Sequence, residues 1–275
     1  MTPPHVSVVL PAKDEEGCIV GVVTAIGQAL DGIPHEIIVV DDGSGDATAS
    51  LVRAMMADRP NLRLVRHDRA CGQSAAIRSG VMAAKGTIIA TLDADGQNPP
   101  SELPRLLEPF LGPDVDLSLG LVQGQRLGRR DTLSRKIASK AANGVRAALL
   151  GDGLRDSACG MKAFPRDVFR RLAYFDHIHR FMAAMVLREG LVVLPIEVAH
   201  EPRRTGQSKY GNIGRALVGV VDLLGVAWLM RRRRLCTSWE VREDAHPSTT
   251  WSLPPSGPAA ELAAGQLGSA PLGAA

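Results

Sequence analysis

Short, nearly continuous apolar runs recur through the first half of the chain, at Val6 to Leu10, Glu36 to Asp41, Leu62 to Arg66, Thr87 to Asp93 and Asp116 to Leu121. They are rich in valine and isoleucine and too short for helices, so they predict β-strands. Between them, apolar residues three and four apart predict helices at Glu16 to Leu30, Ala47 to Ala57, Gln73 to Ala84 and Ser101 to Leu111, with Pro60 and Gly86 as breaks. Strands alternating with helices describe an α/β fold with a mostly parallel, Rossmann-like sheet. Strands without a polar face imply helices on both sides of that sheet. Open sheets of this kind bind ligands beyond the carboxyl ends of their strands.

After Gly124 the pattern changes. Arg126, Arg129, Arg130, Arg135, Lys136 and Lys140 lead into a helix predicted over Asp131 to Leu150. Helices near Arg166 to Ala173 and Ile178 to Arg188, a strand pair around Leu191 to His200 and a basic loop from Arg203 to Lys209 follow. Ile213 to Met230 is mostly apolar and sits at the lower limit for crossing a bilayer. Its charges, Arg215 and Asp222, are seven residues apart, about two turns, and share one narrow face. With Arg231 to Arg234 immediately behind it, such a helix suits a membrane interface bearing anionic lipids; the alternative is a buried helix with a solvated basic end. The chain from Leu235 to Ala275 is rich in Pro, Gly, Ala and Ser without periodicity, which predicts a flexible tail.

Composition narrows the function. At 275 residues, 45% hydrophobic and 22% charged, the chain is neither disordered nor fibrous. Aromatics at 4% and a net charge of +3 argue against a nucleic-acid binder. Cys18, Cys71, Cys159 and Cys236 form no C-x-x-C pair, so spacing suggests neither a zinc nor a redox motif, and reduced thiols are expected. The start, Met1 to Leu10, lacks the basic opening and length of a signal peptide, so the catalytic part is expected to be cytoplasmic.

The acids that carry chemistry stand at predicted strand ends. Asp41 and Asp42, before Gly43 and Ser44, can hold ribose hydroxyls or base N–H groups, or simply build an Asx turn and a helix cap. Asp93, Asp95 and Gln97, closed off by Pro99 and Pro100, offer three oxygen donors suited to Mg²⁺ or Mn²⁺ shared with substrate phosphates. Asp114 and Asp116 repeat the D-x-D spacing but open a strand and have no third ligand. Gly43-Ser44-Gly45 is half of a dinucleotide fingerprint in the wrong turn. The first turn, Pro11 to Glu16, carries acids that would repel a pyrophosphate. His177 and His179 alternate before Arg180, which suits a helix start better than a metal pair.

Taken in order, these segments resemble glycosyltransferase family 2, within it the polyprenyl-phosphate sugar synthases of dolichyl-phosphate mannose synthase type. Val8 to Glu16 is similar to the family's opening strand and turn. Val39 to Ser44 with Asp46 and Thr48 is similar to its nucleotide-binding turn, and Asp93 to Gln97 with Pro99 to its metal motif. Asp156 with Gly160, and Arg203 to Tyr210, resemble its acceptor-side and basic-loop motifs. Ala70 departs from the pattern, which often has Asn there, and no pair of clear transmembrane helices follows Tyr210.

The resemblance implies a GT-A fold over residues 1–210, with a nucleotide-sugar half at 1–122 and an acceptor half at 123–210. A membrane-associated helix at 211–234 and the tail at 235–275 would follow. Pro11, Glu15, Asp41 and Asp42 would hold the nucleoside, Asp93 would bridge nucleotide and metal, and Asp95 with Gln97 would complete the metal site. Arg135 and Ser139 would receive the acceptor phosphate; Arg126, Arg203 and Lys209 would clamp phosphates; Asp156 would act as base or orient the nucleophile. The expected reaction is inverting transfer of a hexose, mannose or glucose, from a GDP- or UDP-sugar to a polyprenyl phosphate on the cytoplasmic membrane face. A hydroxyl acceptor (a glycolipid or diacylglycerol) and a silent nucleotide-sugar-binding module are the alternatives.

Overall fold

Valine and isoleucine lose little on entering a pleated strand, and their runs set the sheet. The computed structural model describes residues 5–112, 115–126, 144, 146–201 and 212–233. Its strands are β1 (Val6–Ala12), β2 (His35–Asp41), β3 (Leu62–Arg66), β4 (Ile88–Thr91), β5 (Leu119–Arg126), β6 (Lys162–Pro165) and β7 (Val192–Val198). Its helices are α1 (Ile19–Ala29), α2 (Thr48–Met55), α3 (Gln73–Ala83), α4 (Leu103–Leu111), α5 (Arg166–Arg171), α6 (Ile178–Arg188) and α7 (Asn212–Arg231).

The strands form one sheet of order β3-β2-β1-β4-β6-β5-β7. β6 runs against its neighbours β4 and β5, while the other pairings are parallel. Successive residues on β1 and β2 supply opposite cores. Val8, Leu10, Ile37 and Val39 pack with α1, α2 and α4, whereas Val9, Ile38 and Val40 pack with α3, α6 and α7. This is why the strands carry no polar stripe.

Two expectations need correction. The predicted strand pair at Leu191 to His200 is one edge strand, β7, and the second strand is β6, which the sequence reading passed over. A lysine at its start and a proline at its end hide it, because neither is usual in a central strand. β5 also starts later than predicted and runs on to Arg126. The Asp116 carboxylate accepts from the Ser118 N–H at 2.8 Å and Oγ at 2.6 Å, and so forms a turn instead.

Close packing fixes α3 on the sheet. A Cβ on Gly80 would run into the Val9 side chain, with Val40 Cγ2 at 3.1 Å. Gly80→Val is expected to lower stability by about 1–3 kcal/mol, read as a lower urea midpoint with an unchanged m-value.

Candidate active site

The chain winds from β1 outward through β2 to β3, then returns to place β4 on the other side of β1. The crevice beyond the carboxyl ends of β1 and β4 is therefore a topological switch point, where such sheets bind ligands. The turns after β1 and β2 are laced together there. Lys13 Nζ donates to the Gly43 carbonyl at 3.1 Å, the Asp14 N–H to Ser44 Oγ at 3.0 Å and the Glu15 N–H to Thr48 Oγ1 at 2.8 Å. In return Asp14 accepts from the Gly45 N–H at 2.8 Å and Glu16 from the Ala47 N–H at 2.9 Å. The acids of the first turn, unsuited to a pyrophosphate, instead satisfy amides of the second.

Asp41 is fully buried. One of its oxygens accepts from the Ser44 N–H at 3.0 Å, and the other lies 3.0 Å from Arg66 Nε. Asp42 accepts from the Cys71 and Gly72 N–H groups, each at 2.8 Å, and lies 2.7 Å from His67 Nδ1. Burial works against its charge, but the Cys71 amide, His67 and the Gly72 amide outweigh it and hold its carboxyl below the usual range. Gly43, Ser44, Arg66, His67 and Asp68 line an open polar cleft beside these acids. Pro11 lies in β1, two residues past the last β1–β4 pair, Val9 with Thr91.

The second half of the site comes from the reversed strand. Because β6 is antiparallel to β4 and β5, the loop that precedes it arrives at the same end as the residues after β4. Lys162 is in register with Thr91 on β4 and Gln123 on β5. Thr91 Oγ1 donates to the Gly160 carbonyl at 2.8 Å. A Cβ on Gly160 would collide with the Asp93 carboxylate, so a larger residue here would have to displace that side chain. Asp93 accepts from Gln73 Nε2 at 2.7 Å and Asn98 Nδ2 at 3.2 Å. Burial, then the charge of Asp95, raises its carboxyl above the ordinary value, and Lys162, Asn98 and Arg126 pull back only in part. Lys162 is buried; its ammonium donates to the Cys159 carbonyl, and its burial lowers its own pKa.

At the end of β5, Arg126 grips Asp156 through both nitrogens, Nε to Oδ2 at 2.5 Å and Nη2 to Oδ1 at 2.9 Å. Gln125 Oε1 accepts from the Arg155 and Asp156 N–H groups at 3.0 and 2.9 Å and shapes that loop. Asp95 accepts from the Gln97 N–H at 3.1 Å. Asp93, Asp95 and Gln97 carry oxygen donors of the kind that could hold a hard divalent cation. The repulsion that raises Asp93 is what such a cation would relieve.

Pro11, Glu15, Asp41, Asp42, Asp93, Asp95, Gln97, Arg126 and Asp156 thus gather at one end of the sheet. Arg135, Ser139, Arg203 and Lys209 lie outside the described residues. Gln73, Asn98 and Lys162 escaped the sequence reading. Its only trace of them was a lysine set inside the apolar run Met161 to Phe164. His177 and His179 fall at a helix start, as expected. His177 Nδ1 lies 2.8 Å from Asp222 on α7, and His179, 2.7 Å from Ser74 Oγ, is driven down to about 3 by burial.

The sequence pattern of glycosyl transferase family 2 matches residues 7–173. The chain belongs to that family. It is similar to dodecaprenyl-phosphate galacturonate synthase of Rhizobium johnstonii, 35% identical over 235 residues, which span 82% of this chain and 68% of that protein. The undecaprenyl-phosphate 4-deoxy-4-formamido-L-arabinose transferase of Aeromonas hydrophila is 35% identical over 210 residues, 75% of this chain and 63% of that one. The chain thus spans less than two thirds of the length of this second relative. Among solved structures, glucosyl-3-phosphoglycerate synthase from Mycobacterium tuberculosis superposes with a TM-score of 0.62 at 21% identity, covering 83% of this chain and 80% of that one. The GT-A-type fold and the glycosyltransferase class of this family 2 enzyme are thereby established.

A carboxyl with a raised pKa favours the folded state when protonated. Wild-type stability is therefore expected to gain as pH falls through the raised Asp93 value, until the unfolded chain also protonates near about 3.9. Removing the neighbouring charge in Asp95→Asn should flatten that gain and, in EDTA at neutral pH, stabilise the fold by about 0.5–2 kcal/mol. Thermal melting across pH checks both. Gly160→Ala should destabilise by about 1–3 kcal/mol through overpacking against Asp93.

Proposed function

We propose that this enzyme transfers one hexose, mannose or glucose, from a GDP- or UDP-sugar to a polyprenyl phosphate at the cytoplasmic membrane surface, with inversion. The observation that carries the proposal is the Asp93–Asp95 pair at the switch point, facing the Arg126–Asp156 pair across the start of β6. The names of the two relatives, both prenyl-phosphate enzymes, support the acceptor class. Glucosyl-3-phosphoglycerate synthase from Mycobacterium tuberculosis, which shares this fold, has been solved with Mn²⁺ and UDP-glucose, and that supports the donor class.

Asp41 and Asp42 would hold the nucleoside. Asp93, Asp95 and Gln97 would hold Mg²⁺ or Mn²⁺, which when bound supplies Lewis-acid stabilisation of charge on the departing diphosphate. In the transfer an acceptor phosphate oxygen bonds to the anomeric carbon as the bond from that carbon to the β-phosphate oxygen breaks. The electron pair leaves with the nucleoside diphosphate. A phosphate monoester, with a second pKa near about 6, attacks without surrendering a proton. Asp156 favours this acceptor over a hydroxyl, since both of its oxygens are committed to the Arg126 fork and neither is presented as a base. Asp156 instead fixes Arg126, whose guanidinium can meet phosphate charge. Arg135, Ser139, Arg203 and Lys209 would add to that clamp.

α7 suits attachment to a leaflet. Val218, Val221, Leu224 and Trp228, three and four residues apart, are all exposed on one helix face, and Arg231 and Arg232 continue it. Asp222 turns inward to His177, and Val226 and Ala227 are buried. No helix among the described residues is long and apolar enough to cross a membrane. The occupant of the exposed face is an anionic bilayer, by charge complementarity with the arginines.

With undecaprenyl or dolichyl phosphate and a panel of labelled GDP- and UDP-sugars, label is expected in the organic phase from one donor, and to vanish with EDTA. Asp95→Ala should cost at least about 10²–10³-fold in rate with the fold intact; an active variant would refute the metal assignment. No lipid-phosphate product from any donor would shift the acceptor to a hydroxyl. Vesicles containing anionic lipid should sediment the protein, and Leu224→Ser with Trp228→Ala should release it; retention by neutral vesicles alone would contradict the attachment.

A further inference from the structure

Beside the oxygen-lined end of β4, the end of the neighbouring β2–β3 pair carries a different donor set. β2 and β3 are in register at Asp41 and Arg66, and the His67 N–H donates to the Asp41 carbonyl at 2.9 Å, so Asp42 and His67 emerge side by side. Cys71 opens the approach to α3 and is pinned there by its own N–H, which donates to Asp42 Oδ1 at 2.8 Å. One ligand atom from each of Asp42, His67 and Cys71 lies within 4.8 Å of the others. Asp42 is buried, His67 partly so, and the free thiol of Cys71 is exposed.

We propose that Asp42, His67 and Cys71 form a binding site for a thiophilic divalent cation such as Zn²⁺, distinct from the oxygen site of Asp93 and Asp95. One oxygen, one imidazole nitrogen and one sulfur, with the fourth side open to solvent, is a three-ligand tetrahedral set of the kind zinc takes. Softness separates the two sites. Thiolate and imidazole select Zn²⁺ and its neighbours, whereas carboxylate and amide oxygens select Mg²⁺ or Mn²⁺. The imidazole is already oriented from behind. His67 Nε2 lies 2.9 Å from Ser79 Oγ on α3, so with Nδ1 on the cation the Nε2–H can donate to that hydroxyl. Binding exchanges the Asp42–His67 hydrogen bond for two metal bonds, and the Cys71 thiol releases its proton to solvent. Asp42 keeps the Gly72 N–H, which donates to its second oxygen at 2.8 Å.

The site stands on its own residues; its consequence rests on the donor reading above. Asp42 and His67 border the cleft assigned to the nucleoside, so an occupied site withholds Asp42 from the donor and makes zinc an antagonist of nucleotide binding.

The test is titration of the metal-free, full-length protein with Co²⁺, followed by its sulfur-to-cobalt charge-transfer band in the near ultraviolet. One saturable equivalent is expected, displaced by Zn²⁺ and unaffected by Asp95→Asn. Cys71→Ser, at an exposed position that does not threaten folding, should abolish the band. His67→Ala should weaken binding by at least about tenfold. Absence of the band in the wild type, or its survival in Cys71→Ser, overturns the proposal. Nucleotide binding measured with and without Zn²⁺ reads the consequence separately. A protein that binds no nucleotide in Mg²⁺ or Mn²⁺ without Zn²⁺ refutes the donor reading and leaves the spectral result to decide the metal site.

Discussion

A buried lysine and a glycine at the mouth of one reversed strand hold the reactive end of this enzyme together. β6 is inserted between β4 and β5 against their direction, so its opening residues, not its closing ones, meet the carboxyl end of β4. Gly160, in the loop before β6, leaves room for the Asp93 carboxylate, and the buried Lys162 supplies part of the positive field that permits an acid there. A parallel strand in the same place would send its loop to the opposite end of the sheet. Arg126, at the end of β5, would then lack Asp156 as its partner.

The compensation is deliberately incomplete in its physics. Lys162 and Arg126 lower the Asp93 carboxyl, yet burial and Asp95 win, leaving it raised. Two acids held near each other in a partly dry crevice store repulsion that a hard cation, if held there, would remove. The Asp42 side, where we propose the nucleoside is held, has the opposite balance. Asp42 is held below its usual range by two amides and an imidazole, and the acids after β1 are consumed by amides of the next turn. One end of the crevice is thus a finished hydrogen-bond network and the other an unfinished electrostatic one.

Much of this was legible in the residues. β1, β2 and β3, with α1 to α4, follow from β-branched runs and apolar spacing, because each is decided locally. The acids at strand ends could be found by asking where a strand stops. β6 was hidden because tertiary enclosure overrides the low strand preference of Lys162 and Pro165. The Arg126–Asp156 fork joins residues 30 apart in sequence, and the Asp42–His67 contact residues 25 apart. Such pairings depend on strand register, which local patterns do not encode. The same limit explains the cysteines. Spacing among the four gave no metal motif, yet Cys71 meets a histidine and an aspartate delivered by two other elements.

α7 shows how a charge pattern and a packing pattern can describe one helix differently. The charges mark the narrow polar face, and burial shows which way that face points. Asp222 is turned to His177, which itself adopts a left-handed backbone (φ 65°) at the start of α6. Seven residues of α6, Ile178 and Phe181 to Val186, lie in the core that also encloses Ala76 and Ile77 of α3, and Ser74 of α3 bonds His179 of α6. The helix that carries the exposed apolar face is therefore tied, through His177 and then α6, to the start of α3. Gln73 there contacts Asp93, and the Cys71–Gly72 turn just before it holds Asp42. On the proposed attachment of α7 to a leaflet, this chain of contacts would connect the lipid surface to both carboxylates and set the height of a lipid-borne acceptor relative to them.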